Sequence, residues 1–190
     1  MTDMPDYPDL YLMRHGETAW NAEGRIQGRL DSPLTSLGRQ QAHGLARLVA
    51  PVEDALRVAS PQGRAVETAR IVFGSQAFET DTRLAEIDTG NFSGRLLVEL
   101  RDQHPKVFRE GSLDWYDRTP DGERLACLRT RVTGFLGGLT RPTLIVTHGI
   151  TLRMIRLVAM GLPPDRLGDM PVVQGAVHVV CRKGHQIWQT

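Results

Sequence analysis

The chain has 190 residues, of which 41% are hydrophobic, so it can build one well-packed core without disulfides or a structural metal. Its 23 basic and 22 acidic residues give a formal net charge of +1, which argues against charge-driven binding to nucleic acid or to an anionic membrane. Arginine supplies 21 of the 23 basic residues, which suits bidentate binding of anions but is equally explained by genome composition.

The sequence predicts neither a targeting signal nor a cysteine motif. The first nine residues are acidic with no apolar stretch, and no apolar run approaches the ~20 residues of a transmembrane helix. We therefore expect a cytoplasmic protein without a signal peptide. Cys127 and Cys181 lie in apolar-periodic contexts, which predicts buried thiols outside any disulfide or metal site.

The first half of the chain alternates apolar runs with amphipathic stretches. The pattern predicts a buried strand at 10–13, a helix that Thr35 caps and Pro51 ends, a strand at 56–59, and a helix that Gly74 closes. Residues 90–122 are irregular apart from a predicted helix near 96–103.

The second half repeats this alternation. Apolar residues recur at helical spacing from Leu125 to Leu139, and a strand at 143–147, a helix at about 151–160 and a terminal hairpin at 176–181 and 185–189 follow. Alternating strands and helices predict an α/β fold, a three-layer α/β/α sandwich with a mostly parallel central sheet. We expect one domain over residues 1–190, with a small cap segment at about 90–122.

Two predicted strands are each followed by a histidine and a glycine. His15 and Gly16 follow the first strand, and His148 and Gly149 follow the strand at 143–147. Since ligands bind beyond the carboxyl ends of strands in open α/β sheets, both histidines are expected on one rim. Either histidine alone is equally well a structural residue, but the pairing favours a site. The glycines permit unusual backbone angles and close approach to a ligand.

Four segments carry a resemblance to a known family. Residues 12–18 read LMRHGET, residues 60–69 read SPQGRAVETA, residues 84–90 read LAEIDTG and residues 146–149 read VTHG. In this order they resemble the motifs of the histidine phosphatase superfamily, in the branch that includes cofactor-dependent phosphoglycerate mutase. The resemblance runs from Tyr11 to Met160 and implies a phosphoglycerate mutase-like fold.

The resemblance implies a role for each matching residue. His15 would be the nucleophile that becomes a phosphohistidine, while Arg14, Arg64 and His148 would surround the phosphoryl group. Glu86 would protonate the leaving oxygen and then activate water. No metal or cofactor is expected, because the arginines would supply the charge.

Weaker matches concern substrate binding. Asn21 and Gln27 match positions that hydrogen-bond the phosphoryl group, although polar residues in a glycine-rich loop are often merely solvated. Gly28 and Gly149 are also predicted to lie at the substrate. The carboxylates that compete with Glu86 are Glu17, Asp88 and Glu67, and Glu67 ranks last because it reads as the exposed side of a helix.

The remaining histidines have structural interpretations. His43 and His104 are predicted at the surface, and His178 and His185 in packing or edge positions of the terminal strands. The sequence has no glycine-rich nucleotide loop and no metal-binding histidine or cysteine motif.

Three functions fit these motifs. A phosphomonoester phosphatase and a phosphoglycerate mutase share the first chemical step, and the short 90–122 segment favours the phosphatase. A mutase must hold its phosphoenzyme away from water, and mutases of this family carry a longer insertion there. A non-catalytic phospho-ligand binding protein is the third possibility, although such proteins usually lose the nucleophile. The expected partner is a small phosphorylated metabolite, and the oligomeric state is open.

The cap segment holds the expected specificity residues. Trp115, Tyr116 and Arg118 lie in it, and Arg124 follows it directly. Arg118 or Arg124 is hypothesised to meet a second anionic group on the substrate. A solvated surface position explains either arginine equally well.

Overall fold

A computed structural model describes residues 7–108 and 113–189, which form a six-stranded sheet. The strands are β1 (Leu10–Arg14), β2 (Leu56–Ala59), β3 (Glu79–Thr80), β4 (Thr143–Thr147), β5 (Val177–Cys181) and β6 (Gly184–Trp188). Their order is β3-β2-β4-β1-β5-β6. The first four strands run parallel and the final hairpin runs antiparallel. The predicted mostly parallel sheet and terminal hairpin are confirmed.

The α-helices of the described residues are α1 (Ala19–Ala22), α2 (Ser36–Val49), α3 (Gly63–Phe73), α4 (Leu97–Gln103), α5 (Leu125–Leu136) and α6 (Gly149–Ala159). The last five lie close to their predicted positions, whereas α1 was not predicted. The Thr35 hydroxyl caps α2 by accepting a hydrogen bond from the Gly38 amide at 3.0 Å, as predicted. Two boundaries differ from expectation: α5 ends at Leu136 rather than near Leu139, and α6 begins directly after His148.

Side chains of the sheet alternate between two apolar cores. Leu12 and Ile145 point into a core shared with α5 and α6, whereas Met13 and Val146 point into a core shared with α2 and α3. This alternation gives the predicted three-layer α/β/α sandwich. Within residues 7–108 and 113–189, no helix is both long and apolar enough to cross a membrane.

A third, smaller core belongs to the predicted cap segment. Phe92, Leu100 and Trp115 are buried together, and Ile26 and Phe108 pack against them. The predicted helix of this segment is α4, and a 3-10 helix covers Asp114–Arg118. Residues of this segment therefore lie beside the loop that follows α1.

Three local predictions are corrected. Cys127 is exposed rather than buried, because it lies one residue, about 100° around the helix, from the buried Leu128 of α5. Cys181 is half-buried at the end of β5. His104 is half-buried because its ring packs against Phe92 at a centroid distance of 5.1 Å, whereas His43 is exposed as expected.

Gly16 and Gly149 do not adopt the unusual backbone angles that the sequence suggested, since neither has a positive φ. Gly16 serves close packing instead. A Cβ there would lie 2.2 Å from the carbonyl oxygen of Gly38, so the start of α2 rests directly on the segment after β1. Gly149 is simply the first residue of α6.

Candidate active site

The two strand-end histidines meet at one rim of the sheet. β1 pairs in parallel with β4, and the His15 amide donates to the Thr147 carbonyl oxygen at 2.9 Å, one step beyond the strand. The rings of His15 and His148 lie 5.1 Å apart, centroid to centroid. The predicted placement of both residues on one rim is therefore confirmed.

His15 is buried and held in one tautomer. Its Nδ1 lies 2.8 Å from the Gly16 carbonyl oxygen, which can only accept, so Nδ1 carries the proton. Nε2 then keeps its lone pair, and the Arg64 Nε–H donates to it at 3.2 Å. Burial, together with the charges of Arg14 and Arg64, holds the pKa of His15 well below its usual value. His15 is thus a neutral imidazole with Nε2 available as a nucleophile.

Two arginines flank this imidazole, the buried Arg64 and the half-buried Arg14. Arg64 lies in the first turn of α3, and its Nη groups donate to the carbonyl oxygens of Leu30 at 2.7 Å and Gly28 at 3.0 Å. It also pairs with Asp31 at 3.1 Å. Arg14 ends β1, and its buried Nε has no hydrogen-bond partner. Burial lowers the pKa of both guanidiniums, but arginine stays charged at neutral pH. The site therefore presents concentrated positive charge to an anion.

The Glu86 carboxylate lies at the N-terminus of α6. Its Oε2 accepts from the Ile150 amide at 3.2 Å, and its Oε1 accepts from both the amide and the hydroxyl of Thr151 at 3.1 Å. The positive end of an 11-residue helix and two otherwise unpaired amides stabilise a carboxylate at this position. Gln62 fixes the backbone, since its Oε1 accepts from the Glu86 amide at 2.7 Å.

His148 is fully buried beside His15. Its Nε2 lies 2.7 Å from the Ser60 hydroxyl, and its Nδ1 has no hydrogen-bond partner. Burial, followed by the charge of Arg64, holds the pKa of His148 well below its usual value. The ring of His148 packs against that of His15 and does not line the pocket.

A pocket of about 290 Å³ opens over His15 and Glu86. Seven of the nine predicted site residues line it, while His148 and Gly149 do not. The lining consists of Arg14, His15, Asn21, Gly24, Arg25, Ile26, Gln27, Gly28, Arg64, Glu86, Thr89, Leu97, Trp115 and Tyr116. Its volume lies near the lower end of the range for small-molecule sites.

The weaker candidates are Asn21, which lies in α1, and Gln27, which lies in the glycine-rich loop after it. Asn21 Oδ1 accepts from the Thr18 amide at 3.2 Å in a capping box, and Gln27 Nε2 donates to the Thr18 hydroxyl at 2.8 Å. The Gln27 Oε1 is buried without a partner. Both side chains are therefore held at the pocket by Thr18, a residue that the sequence analysis did not single out.

The competing carboxylates lie elsewhere. Glu17 accepts from the Thr35 hydroxyl at 2.8 Å, Asp88 accepts from the Gly90 amide at 2.8 Å, and Glu67 pairs with Arg39. None of the three lines the pocket. Of the four carboxylates, Glu86 is thus the one that lines the pocket.

The arginines proposed to meet a second anion are not at the pocket wall. Arg124 is exposed and donates to the Asp117 carbonyl oxygen, and Arg118 has buried Nε and Nη2 atoms without partners. Neither lines the pocket. The cap segment contributes Leu97, Trp115 and Tyr116 instead. No group of three or more metal-ligating side chains is present in the part of the chain that the structure describes.

Thr151, Ile26 and Leu97 were not predicted. Thr151 is recognisable only as a hydroxyl residue in the first turn of a helix, and nothing in the sequence connects it to Glu86, 65 positions away. Ile26 and Leu97 are ordinary apolar residues in sequence and become pocket residues only through packing.

Comparison with known proteins agrees with this geometry. The model of the histidine phosphatase superfamily (branch 1) matches residues 10–189. The "Probable phosphoglycerate mutase GpmB" of Enterobacter sp. (strain 638) is 39% identical over 165 residues, covering 81% of this chain and 75% of that protein. Among solved structures, Bacillus stearothermophilus YhfR is 35% identical (TM-score 0.80), and the alpha-ribazole phosphatase from Shigella flexneri is 27% identical (TM-score 0.81). Each covers 95% of both chains.

Proposed function

The chain belongs to branch 1 of the histidine phosphatase superfamily, and we propose that it is a phosphomonoester phosphatase working through a phosphohistidine on His15. The observation that carries the proposal is the state of His15: a buried, neutral imidazole with an unprotonated Nε2 beside the guanidiniums of Arg14 and Arg64. A small phosphorylated metabolite is the proposed substrate, in keeping with the pocket of about 290 Å³.

The first step forms a phosphorus–nitrogen bond. His15 Nε2 attacks phosphorus while the bond to the ester oxygen breaks, and the leaving oxygen takes the proton of Glu86. Arg14 and Arg64 stabilise the charge that spreads over the three equatorial oxygens. The two guanidiniums supply charge of the kind that a metal ion brings in other phosphatases, which supports a metal-independent reaction.

The second step returns the enzyme to its starting state. Water attacks the phosphohistidine, its proton passes to the Glu86 carboxylate, and the phosphorus–nitrogen bond breaks to release inorganic phosphate and neutral His15. Covalent catalysis replaces one difficult displacement by two easier ones. The contact of Glu86 with the start of α6 keeps the same carboxyl in place for both proton transfers.

A phosphoglycerate mutase is the second candidate, favoured by the name of the 39% identical relative. A mutase must also bind the substrate carboxylate and return the phosphoryl group to it. Apart from Arg14 and Arg64, the only cation of the described pocket lining is Arg25, whose Nε already donates to Glu23 at 2.6 Å. This pairing, together with the short cap segment, supports hydrolysis.

The test is hydrolysis of p-nitrophenyl phosphate combined with trapping of the phosphoenzyme in alkaline denaturant, where phosphohistidine survives. We expect the wild type to carry phosphate on His15. His15→Ala should lose both the phosphoenzyme and the hydrolytic activity. His43→Ala, on the exposed side of α2, is the control and should keep both.

Three outcomes would decide against the proposal. Hydrolysis of the ester without phosphate trapped on His15 would contradict the mechanism. Conversion of 3-phosphoglycerate to 2-phosphoglycerate with a bisphosphoglycerate primer, faster than hydrolysis, would identify a mutase. Phosphate binding without turnover of any ester would identify a phospho-ligand binding protein.

A further inference from the structure

The pocket has two chemically different sides. Arg14, His15, Arg64 and Glu86 form the phosphoryl side described above. The aliphatic and aromatic side chains that line the same pocket are Ile26, Leu97, Trp115 and Tyr116, which we call the apolar wall. Building on the proposed phosphatase function, we infer that the apolar wall binds an uncharged, hydrophobic leaving group, so that the substrate is the phosphomonoester of an apolar alcohol or phenol.

The apolar wall is backed by a packed core. The Trp115 and Tyr116 rings stack at a centroid distance of 3.7 Å, and Trp115 also contacts Phe108 at 5.0 Å. Phe108 in turn stacks on Phe92 at 5.8 Å, and Phe92 is buried. A wall supported in this way is formed before substrate arrives, so little ordering is required on binding.

The apolar wall is also neutral. Burial, followed by the charge of Glu86, raises the pKa of the Tyr116 phenol, which therefore stays protonated at neutral pH. Arg25, at the edge of this side, donates from Nε to Glu23 at 2.6 Å and from Nη1 to the Gly94 carbonyl oxygen at 3.0 Å. Its charge is already paired.

A second anionic group on the substrate would meet an unfavourable surface. Within the described lining, a carboxylate placed against Ile26 and Leu97 would lose water without gaining a free cation. An alkyl or aryl group in the same place gains from removal of apolar surface from water. The two sides of the pocket thus select a phosphoryl dianion attached to an apolar group.

The experiment compares three phosphates with similar alkanol leaving groups: methyl phosphate, hexyl phosphate and 6-(phosphonooxy)hexanoate, which adds a carboxylate to the end of the hexyl chain. Similar leaving alcohols mean that differences in kcat/KM report contacts with the chain rather than intrinsic reactivity. We expect kcat/KM for hexyl phosphate to exceed that of each of the others by at least about tenfold.

Two neighbouring residues of α4 give a matched pair of variants. Leu97 lines the pocket, whereas Val98 is 71% exposed. Leu97→Gln should reduce the hexyl-to-methyl ratio of kcat/KM by roughly three- to tenfold, because a polar amide replaces apolar contact. Val98→Gln should leave that ratio unchanged.

The outcomes separate this inference from the proposed function. A carboxylate-bearing substrate hydrolysed as well as hexyl phosphate, or a ratio unaffected by Leu97→Gln, would overturn the apolar leaving-group site while leaving the phosphatase intact. Absence of hydrolysis for every ester, with no phosphohistidine formed, would overturn both.

Discussion

His15 and His178 show how far the role of a buried histidine depends on its hydrogen bonds. Burial lowers the pKa of both, and both are neutral. The ring of His178 is fully occupied, because Nδ1 lies 2.9 Å from Arg156 and Nε2 accepts from the Val173 amide at 3.3 Å. In His15, Nδ1 donates to the backbone and Nε2 accepts from Arg64 at 3.2 Å, but the residue lines a pocket, which His178 does not. Of the two, only His15 can therefore meet a ligand in that pocket.

Glu86 can be tested as a proton donor by changing the leaving group. In Glu86→Gln the side chain keeps an oxygen for the α6 amides but cannot donate its acidic proton. We expect kcat/KM for hexyl phosphate to fall by about 10²- to 10⁴-fold, since an alkoxide cannot leave unprotonated. The value for p-nitrophenyl phosphate should fall less than about tenfold, because nitrophenolate leaves without a proton.

Glu67→Gln is the matched control, since its carboxylate pairs with Arg39 away from the pocket. It should leave both kcat/KM values unchanged. An equal loss for both esters in Glu86→Gln would show that Glu86 acts in some way other than protonation of the leaving oxygen.

At the scale of elements, the loop after α1 holds Arg64 in place. The Gly28 carbonyl oxygen accepts from Arg64 and from the Gln62 side chain, both at 3.0 Å. Gly28 has a φ of +51°, and a Cβ there would lie 2.3 Å from the Thr89 hydroxyl. The loop therefore reaches Arg64 only with a glycine at this position.

Gly28→Ala should move the loop and disturb the phosphoryl side of the pocket. We expect kcat/KM to fall at least about tenfold, and the free energy of unfolding to fall by about 1 to 3 kcal/mol from backbone strain and the steric conflict.

Gly74→Ala is the control: its φ is +57°, but a Cβ there meets nothing within 4 Å. That variant should lose about 1 to 2 kcal/mol of stability with unchanged kcat/KM. Full activity in Gly28→Ala would show that the loop does not position Arg64.

At the scale of the whole molecule, a second buried cluster joins α6 to the terminal hairpin. Arg156 is fully buried and contacts His178 at 2.9 Å and His185 at 3.2 Å, while its Nη2 donates to the Pro171 carbonyl oxygen at 2.6 Å. Burial, followed by the charge of Arg156, lowers the pKa of His178 to about 3. The native protein thus holds His178 neutral where the unfolded chain takes up a proton.

This difference predicts a loss of stability in acid. The unfolded state binds more protons below pH ~6.5, so the free energy of unfolding should fall as pH drops from there towards about 3. Each histidine held neutral in this way contributes at most about 1.4 kcal/mol per pH unit to the slope of the free energy of unfolding against pH. The pKa values of His15 and His148 are also lowered, so both contribute to this slope in addition to His178. Urea denaturation at pH 7, 6 and 5 measures this dependence.

His178→Gln isolates one contribution. Whatever its stability at pH 7, this variant should lose stability between pH 6 and 5 less steeply than the wild type, by roughly 1 kcal/mol per unit. His43→Gln, on the exposed face of α2, should keep the wild-type slope. A wild-type slope in His178→Gln would contradict a neutral His178 in the native state.

Local patterns predicted the fold and the rim of the site well. Apolar runs at 10–13 and 143–147 set two buried strands, and the residues directly after them, His15 and His148, had to follow their strands to the same edge. The amphipathic pattern likewise located α2, α3, α5 and α6 to within a few residues, but it did not predict the four-residue α1. The apolar periodicity of a strand or a helix repeats every few residues. Strands and helices can therefore be predicted from residues that are neighbours along the chain.

The sequence alone determined a mostly parallel α/β sheet with a histidine and an arginine at one strand end, together with a resemblance that implied phosphoryl chemistry. Only the tertiary structure decided that the Glu86 carboxylate meets the start of α6, that His148 lies beside His15 without lining the pocket, and that Ile26, Leu97 and Trp115 form an apolar wall. These contacts join segments tens of residues apart. Their geometry follows from how helices and loops pack on the sheet, which no short-range pattern encodes.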